Sequence, residues 1–247
     1  MNDPWHTLRR FTQARIAQGI VGCSLPTSAL LDFQLSHAAA RDAVNHPWDV
    51  DSFLGGINTL GLEALCLSTQ TKSREQYLQR PDKGRCLDEL SRQVLYSRNK
   101  EQIDVVLIMT NGLSSVAMDS HGLLLLEAIT VAYKSSSLRL GPVCVVPNGR
   151  VALADEIGAL LNARLSVIIV GERPGLSAAD SLGVYMTYAP RIGNTDAGRN
   201  CISNIRHPDG LSYRAAAIKL DYLSHQSLQH KHSGIVLKDD MPQHLLD

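Results

Sequence analysis

The chain has 247 residues, of which 44% are apolar, and its 24 Lys and Arg residues are balanced by 24 Asp and Glu residues. A chain of this size can bury about three quarters of the surface that it exposes when unfolded, so we expect a soluble globule of one large or two small domains. The balanced charge produces no general field to attract a phosphate backbone or an anionic bilayer. It therefore argues against nucleic acid and membrane as partners.

The apolar runs and the cysteines exclude further classes. VVLIM (105–109) and GLLLLEAI (122–129) are much shorter than the roughly 18 to 20 residues that span a bilayer. The amino-terminal MNDPWHTLRRF has no apolar signal core, which predicts an intracellular, cytoplasmic protein. The five cysteines lie far apart and form no CxxC motif, so neither a disulfide framework nor a zinc site is predicted.

The first hundred residues have a helical pattern. A helix is predicted over LRRFTQARIAQG (8–19), and a second begins at Pro26-Thr27, carries an apolar stripe over residues 30–38 and ends before Pro47. TKSREQYLQRPDKGRCLDELSRQVL (71–95) predicts two charged helices around a Pro-Asp turn, with Ser73 and Gln76 spaced as a capping box. We interpret residues 1–101 as a helical region and connecting arm used in subunit assembly, with packing inside one chain as the alternative.

From residue 102 onward, strands alternate with helices. IDVVLIMT (103–110), PVCVVP (142–147) and LSVIIV (165–170) are apolar on both faces, and helical patterns separate them. Strands of this kind are typical of a parallel sheet with helices on both sides. The predicted fold class is therefore α/β, a Rossmann-like parallel sheet flanked by helices, formed by residues 102–247 and preceded by the helical part.

Polar, turn-forming loops follow all three strands, at residues 110–112, 147–150 and 171–175. The carboxyl ends of parallel strands share one edge, where open α/β folds hold their ligands. Glu172 in GERPG is therefore expected at a ligand edge. The alternative is that Asn, Gly and Pro in these loops are ordinary turn chemistry.

Familiar catalytic motifs do not occur. The sequence has no GxGxxG, GxxxxGK[ST], GxSxG or HExxH motif, which disfavours the common nucleotide and hydrolase sites. Cys201 in RNCIS suggests a nucleophile, but no base is identifiable near it and a structural thiol is the preferred interpretation. No catalytic residue and no metal ligand is predicted.

Several long segments carry a resemblance that covers nearly the whole chain. They are DPWHTLRRFTQARIAQG (3–19), SREQYLQRPDKGR (73–85), NGRVALADEIG (148–158), VGERPGLSAADSLGVYMTYAPRIGNTDAGRNCISNIR (170–206) and GIVLKDD (234–240). Together these segments resemble the small subunit of ethanolamine ammonia-lyase. The GERPGLS and RNCISNIR stretches are long and unusual, and so carry most of the specificity.

The resemblance implies a subunit of an adenosylcobalamin-dependent lyase that converts ethanolamine to acetaldehyde and ammonia by radical chemistry. In that family a barrel-shaped large subunit holds the substrate, and the cofactor lies between the two subunits of a hetero-oligomer. The family's small-subunit cofactor contacts fall on Val151, Glu172 and Cys201. The resemblance also implies a location within a bacterial microcompartment. The alternatives are a structural assembly subunit without ligand contact and a stand-alone nucleotide-binding α/β enzyme.

His121 lies in a segment that partly matches a cobalt-binding motif. Asp119-Ser120-His121 begins like the Asp-x-His-x-x-Gly motif of some corrinoid proteins, but Leu124 stands where that motif has Gly. The resembled family also keeps the cofactor's own base on cobalt. We therefore interpret His121 as a core or helix-surface histidine and predict no protein ligand to cobalt.

Overall fold

The computed structural model describes residues 5–98 and 101–242. Seven α-helices lie within the described residues: α1 (Thr27–Asn45), α2 (Val50–Thr59), α3 (Arg74–Gln79), α4 (Glu89–Tyr96), α5 (Ser115–Ser135), α6 (Leu153–Leu160) and α7 (Tyr213–His230). Six β-strands accompany them in the same part of the chain: β1 (Ala64–Cys66), β2 (Ile103–Thr110), β3 (Val143–Val145), β4 (Ala163–Gly171), β5 (Leu182–Tyr188) and β6 (Arg199–Ile205).

The six strands form one mixed sheet in the order β1-β3-β2-β4-β5-β6. The first four strands of this order are parallel, whereas β5 and β6 pair antiparallel to their neighbours. The predicted α/β class and the parallel core of β2, β3 and β4 are thus confirmed. The two antiparallel strands were not predicted, because neither β5 nor β6 is a run of consecutive apolar residues like β2 and β4.

Helices cover both faces of the sheet. On the first face, side chains of α2, α5 and α7 form a core with inward residues of β2, β4, β5 and β6. On the second face, α4 and α6 pack over the other side of β2, β3 and β4. Cys201 and Ser203 on this second face stay exposed and Tyr185 is only partly buried, so the helical layer ends before it reaches β6.

Helix α5 is long and apolar enough, by length and composition alone, to cross a membrane. Ten of its residues are buried in the protein core, and Tyr133 near its end donates or accepts a hydrogen bond with Ser224 of α7 at 2.8 Å. The apolar composition of α5 is thus explained by its place between the sheet and α7.

The amino-terminal prediction was wrong in part. Only His6–Phe11 is helical, as a 3-10 helix, and no α-helix occurs over residues 12–26. Isolated helical turns are marginal without tertiary packing, and none of the residues of this 3-10 helix is buried. The helix predicted after Pro26 is confirmed as α1.

Helix α1 exposes much of its apolar stripe, whereas α2 belongs to the core. Leu31 and Leu35 are 58% and 72% exposed. Phe53 and Ile57 of α2, in contrast, are almost completely buried in the main core. Strand β1, which lies before residue 101, also joins the sheet. The division of the chain into two parts at residue 101 stays a prediction.

Candidate functional site

The three polar loops predicted at the strand ends meet at one edge of the sheet. The Leu113 N–H donates to the Gly171 carbonyl at 2.9 Å, which joins the loops after β2 and β4. The Asn148 N–H donates to Asn111 Oδ1 at 2.8 Å, which joins the loops after β3 and β2. The expected common edge is therefore confirmed.

Two glycines allow this close approach. A Cβ at Gly112, whose φ is +49°, would lie 2.2 Å from a methyl carbon of Val170. A Cβ at Gly171 would lie 2.1 Å from the carbonyl oxygen of Ser114. Any larger residue would push the loops apart, so the edge depends on glycine at both positions.

The connecting arm forms a wall of this edge. The Tyr77 hydroxyl of α3 donates to the Gly149 carbonyl at 3.2 Å, and the Arg150 N–H donates to the Gly84 carbonyl at 2.8 Å. The predicted cap of α3 is confirmed, since the Gln76 N–H donates to Ser73 Oγ at 3.1 Å. The Gln76 side chain accepts from the N–H of residue 72 and not of Ser73, so the capping box is not reciprocal.

Two adjoining clefts open at the edge, with volumes of about 440 and 460 Å³. Both are lined by Arg150, Val151 and Tyr185. The first extends toward Asp196, and the second extends toward Glu172 and Ser203. A ligand larger than either cleft could therefore lie along both.

Val151 lies in the turn before α6, and the helix itself begins at Leu153. Within the described part of the chain, the backbone N–H groups of Val151 and Ala152 have no hydrogen-bond acceptor. Free N–H groups at the start of a helix suit an oxygen of a ligand. Val151 can thus offer its backbone as well as its apolar side chain.

Arg150 places a fixed positive charge beside these N–H groups. Its guanidinium carbon lies 4.1 Å from the centre of the Tyr77 ring, and Nη2 donates to the Tyr77 carbonyl at 3.1 Å. Its Nε is buried without a partner, and no carboxylate among the described residues pairs with Arg150. The charge is held by stacking and left uncompensated, so it favours an electron-rich ligand group.

Glu172 leaves β4 and accepts three hydrogen bonds from its own chain. Ser181 Oγ donates to Oε2 at 2.6 Å, Ser203 Oγ donates to Oε1 at 2.5 Å, and the Asn204 N–H donates to Oε2 at 3.2 Å. Gly183 leaves room for this carboxylate, because a Cβ there would lie 2.9 Å from Oε1. Among the described residues no arginine pairs with Glu172; two hydroxyls and a backbone N–H satisfy its carboxylate.

Cys201 lies directly opposite Tyr185 in the antiparallel pairing of β5 and β6. Desolvation raises the pKa of the Cys201 thiol, although the residue is exposed at the surface, and a hydrogen bond from Tyr185 acts in the opposite direction. Desolvation likewise raises the pKa of Tyr185 to about 12, and the neighbouring sulfur adds to the shift. Both groups are thus neutral at pH 7, which fits the interpretation of Cys201 as an unreactive thiol.

The structure brings the three predicted site residues to one region, in unequal roles. Val151 and Glu172 line the same cleft. Cys201 lines neither cleft and reaches the region through Tyr185, which lines both. Tyr185 and Ser203 were missed by the sequence analysis. The alternation of strand residues could have indicated Ser203, since residues two apart on a strand share a face.

His121 is buried away from these clefts, as the interpretation of a core histidine requires. Its Nδ1 lies 2.7 Å from the Tyr213 hydroxyl, and its Nε2 lies 3.2 Å from Asp180 Oδ2. Within residues 5–98 and 101–242, no group of three or more His, Cys, Asp or Glu side chains could hold a metal ion.

Comparison with known proteins identifies the family. The family model described as ethanolamine ammonia-lyase light chain (EutC) matches residues 2–238. The ethanolamine ammonia-lyase small subunit of Azotobacter vinelandii is 47% identical over 99% of this chain and 92% of the relative. The small subunits of Pseudomonas aeruginosa PAO1 and Pseudomonas putida KT2440 are 48% and 46% identical, over 99% and 100% of this chain and 90% and 91% of theirs. The chain therefore belongs to the ethanolamine ammonia-lyase light-chain family.

Proposed function

We propose that this chain is the small subunit of an adenosylcobalamin-dependent ethanolamine ammonia-lyase and binds the cofactor between itself and the large subunit. The observation that carries the proposal is the cleft shared by Val151 and Glu172 at the carboxyl edge of the parallel strands. The whole enzyme converts ethanolamine to acetaldehyde and ammonia. The small subunit forms one wall of the cofactor site and does not hold the substrate.

The chemistry of the clefts fits a corrinoid with a nucleotide tail. Such a ligand carries side-chain amides and hydroxyls, which donate hydrogen bonds, and phosphate and carbonyl oxygens, which accept them. One side of the clefts offers donors, namely the free N–H groups of Val151 and Ala152 and the guanidinium of Arg150. The opposite side offers acceptors, namely Glu172 and Ser203. When bound, adenosylcobalamin supplies the radical chemistry.

The roles of the chain's residues are binding and orientation. Tyr77 holds Arg150 in place by stacking, and Ser181 and Asn204 hold the carboxylate of Glu172, so both walls are preorganised. Cys201 acts as a neutral neighbour of Tyr185, directly opposite it across β5 and β6. Arg150, Glu172 and Tyr185 remain partly accessible along the open side of the clefts, which leaves that side to a second wall from the large subunit.

The amino-terminal part is proposed to dock onto the large subunit. Eleven large apolar side chains are exposed between residues 5 and 35: Trp5, Leu8, Phe11, Ile16, Ile20, Val21, Leu25, Leu30, Leu31, Phe33 and Leu35. A concentration of exposed apolar residues in one segment is typical of a surface that is covered in an assembly. We also propose a cytoplasmic location within a bacterial microcompartment, for which the support is the family alone.

Co-expression with a large subunit of the same family tests the proposal. We expect the two chains to copurify, and the complex incubated with adenosylcobalamin to retain a visible corrinoid spectrum after gel filtration. A structural assembly subunit without ligand contact would copurify, but removing the side chains at Val151 and Glu172 would leave the corrinoid affinity unchanged. A stand-alone nucleotide enzyme would instead bind a nucleotide without the large subunit, and the corrinoid would pass through the column unbound.

A further inference from the structure

Ser203 has a single hydroxyl hydrogen, and the structure assigns that hydrogen to Glu172. Ser203 Oγ lies 2.5 Å from Glu172 Oε1. An ionised carboxylate can only accept hydrogen bonds, so Ser203 is the donor of the pair. The two lone pairs of the Ser203 oxygen remain, and Ser203 is exposed and lines the cleft.

Two other donors near Glu172 are committed in the same way. Ser181 Oγ and the Asn204 N–H both donate to Oε2, at 2.6 and 3.2 Å. We call Glu172 and Ser203 the acceptor wall of the cleft, because both present oxygens that accept hydrogen bonds and neither has a hydrogen left to donate.

An acceptor wall discriminates between ligand groups that have the same shape. A primary amide can place its N–H₂ against Ser203 and Glu172, whereas a carboxylate of the same size brings further lone pairs and a second negative charge. A site built to hydrogen-bond one polar group rejects an analogue that leaves the polar groups of the site unpaired. This rejection is stronger than the rejection, by an apolar pocket, of a ligand that differs by one methylene. The acceptor wall is thus suited to bind a side-chain amide in preference to the corresponding carboxylic acid.

We propose that Ser203 is a specificity residue that selects a side-chain amide of the corrinoid, with Glu172 acting both as ligand contact and as the group that turns the Ser203 hydroxyl. The proposal rests on the proposed function of this chain as a wall of the cofactor site. It adds Ser203 to the residues implied by the family resemblance, and it names the side-chain amide as the ligand group that Ser203 recognises.

The test uses the complex with the large subunit and a set of corrinoids. The ligands are cyanocobalamin and its monocarboxylic acids, in each of which one side-chain amide has been hydrolysed. The proteins are the unmodified complex, Ser203→Ala, which removes the acceptor, and Ser203→Thr, which keeps the hydroxyl. Dissociation constants come from equilibrium titration followed by the corrinoid absorption spectrum, which is independent of catalytic activity.

We expect Ser203→Ala to weaken cyanocobalamin binding about three- to tenfold, as for loss of one ordinary hydrogen bond. One of the monocarboxylic acids should bind more weakly than cyanocobalamin to the unmodified complex, and this difference in affinity should be smaller in Ser203→Ala. Ser203→Thr should restore the difference seen in the unmodified complex. The remaining acids should show no such coupling.

Two results would overturn the inference and leave the proposed function intact. In one, Ser203→Ala binds every corrinoid with the affinity of the unmodified complex. In the other, all the ligands lose affinity by one common factor, which would indicate a structural role for Ser203. If the unmodified complex binds no corrinoid at all, the proposed function itself is wrong, and the inference is lost with it.

Discussion

Replacement of Glu172 by Ala separates its part in ligand binding from its part in the loop. The carboxylate accepts from Ser181, which lies in the loop after β4, and from Ser203 and the Asn204 N–H, which belong to β6. It therefore ties the loop to the edge strand. Of roughly four lone-pair sites on a carboxylate, three are used, so about one remains for a ligand.

The magnitudes of the two effects differ. Hydrogen bonds to a charged group contribute roughly 1.5 to 3 kcal/mol each, which sets an upper limit for the loop, but the donors freed in Glu172→Ala can bind water, so we expect a net loss of about 1 to 2 kcal/mol. For a chain of this size, this corresponds to a fall in melting temperature of roughly 2 to 8 °C. A hydrogen bond from a ligand to a charged group contributes roughly 1.5 to 3 kcal/mol, so the affinity for adenosylcobalamin should fall about ten- to a hundredfold.

Both quantities are measured on one preparation of the complex with the large subunit, by calorimetry without cofactor and by corrinoid titration. Glu127→Ala is the matched control, because Glu127 is an exposed glutamate of α5 that lines neither cleft. A lower melting temperature with unchanged affinity would remove Glu172 from the ligand contacts and leave it as a loop residue. An unchanged melting temperature would refute the role of its three hydrogen bonds.

Three further predictions follow from the same structure. The isolated chain with excess adenosylcobalamin should produce no acetaldehyde from ethanolamine, and steady turnover by the chain alone would contradict this. Leu31→Asp together with Leu35→Asp should abolish copurification with the large subunit while the circular dichroism of the chain stays unchanged. The control Leu90→Asp, at a residue that is 72% exposed like Leu35, should leave copurification intact. An intact complex in the double variant would count against docking through α1. Arg199→Met should lower the free energy of unfolding by about 3 to 5 kcal/mol in denaturant titration. The reason is that Asp155 stays buried but loses the two hydrogen bonds, of 2.7 and 2.6 Å, that the Arg199 guanidinium donates to it. A loss below about 1 kcal/mol would refute that estimate.

Point substitutions in α1 test docking more directly than a deletion of residues 1–61 would. Phe53 and Ile57 of α2 lie in the main core. A deletion through residue 61 would remove both and open a cavity, at a cost of about 3 to 5 kcal/mol for a phenylalanine alone. Loss of the complex would then report on folding and not on docking.

Much of the parallel core and its ligand edge could be predicted from the sequence. The runs at β2 and β4 are apolar on both faces, and turn-forming residues follow both of them, Asn111-Gly112 after β2 and Pro174-Gly175 after β4. These signals are local, because burial on two faces and the chemistry of a turn are properties of consecutive residues. Glu172 could be placed at the edge for the same reason, whereas Val151 was indicated by the family resemblance.

The tertiary structure alone decided which partners each site residue has. Ser203 donates to Glu172 across 31 positions of the chain, and the Tyr77 hydroxyl donates to the Gly149 carbonyl across 72. The helix predicted at residues 8–19 was wrong for the complementary reason: its local pattern favours a helix, but none of the residues of the 3-10 helix His6–Phe11 is buried, so packing does not stabilise an α-helix there. Local pattern determines what a segment can become, and packing between distant segments determines which hydroxyl, carboxylate and guanidinium face the ligand.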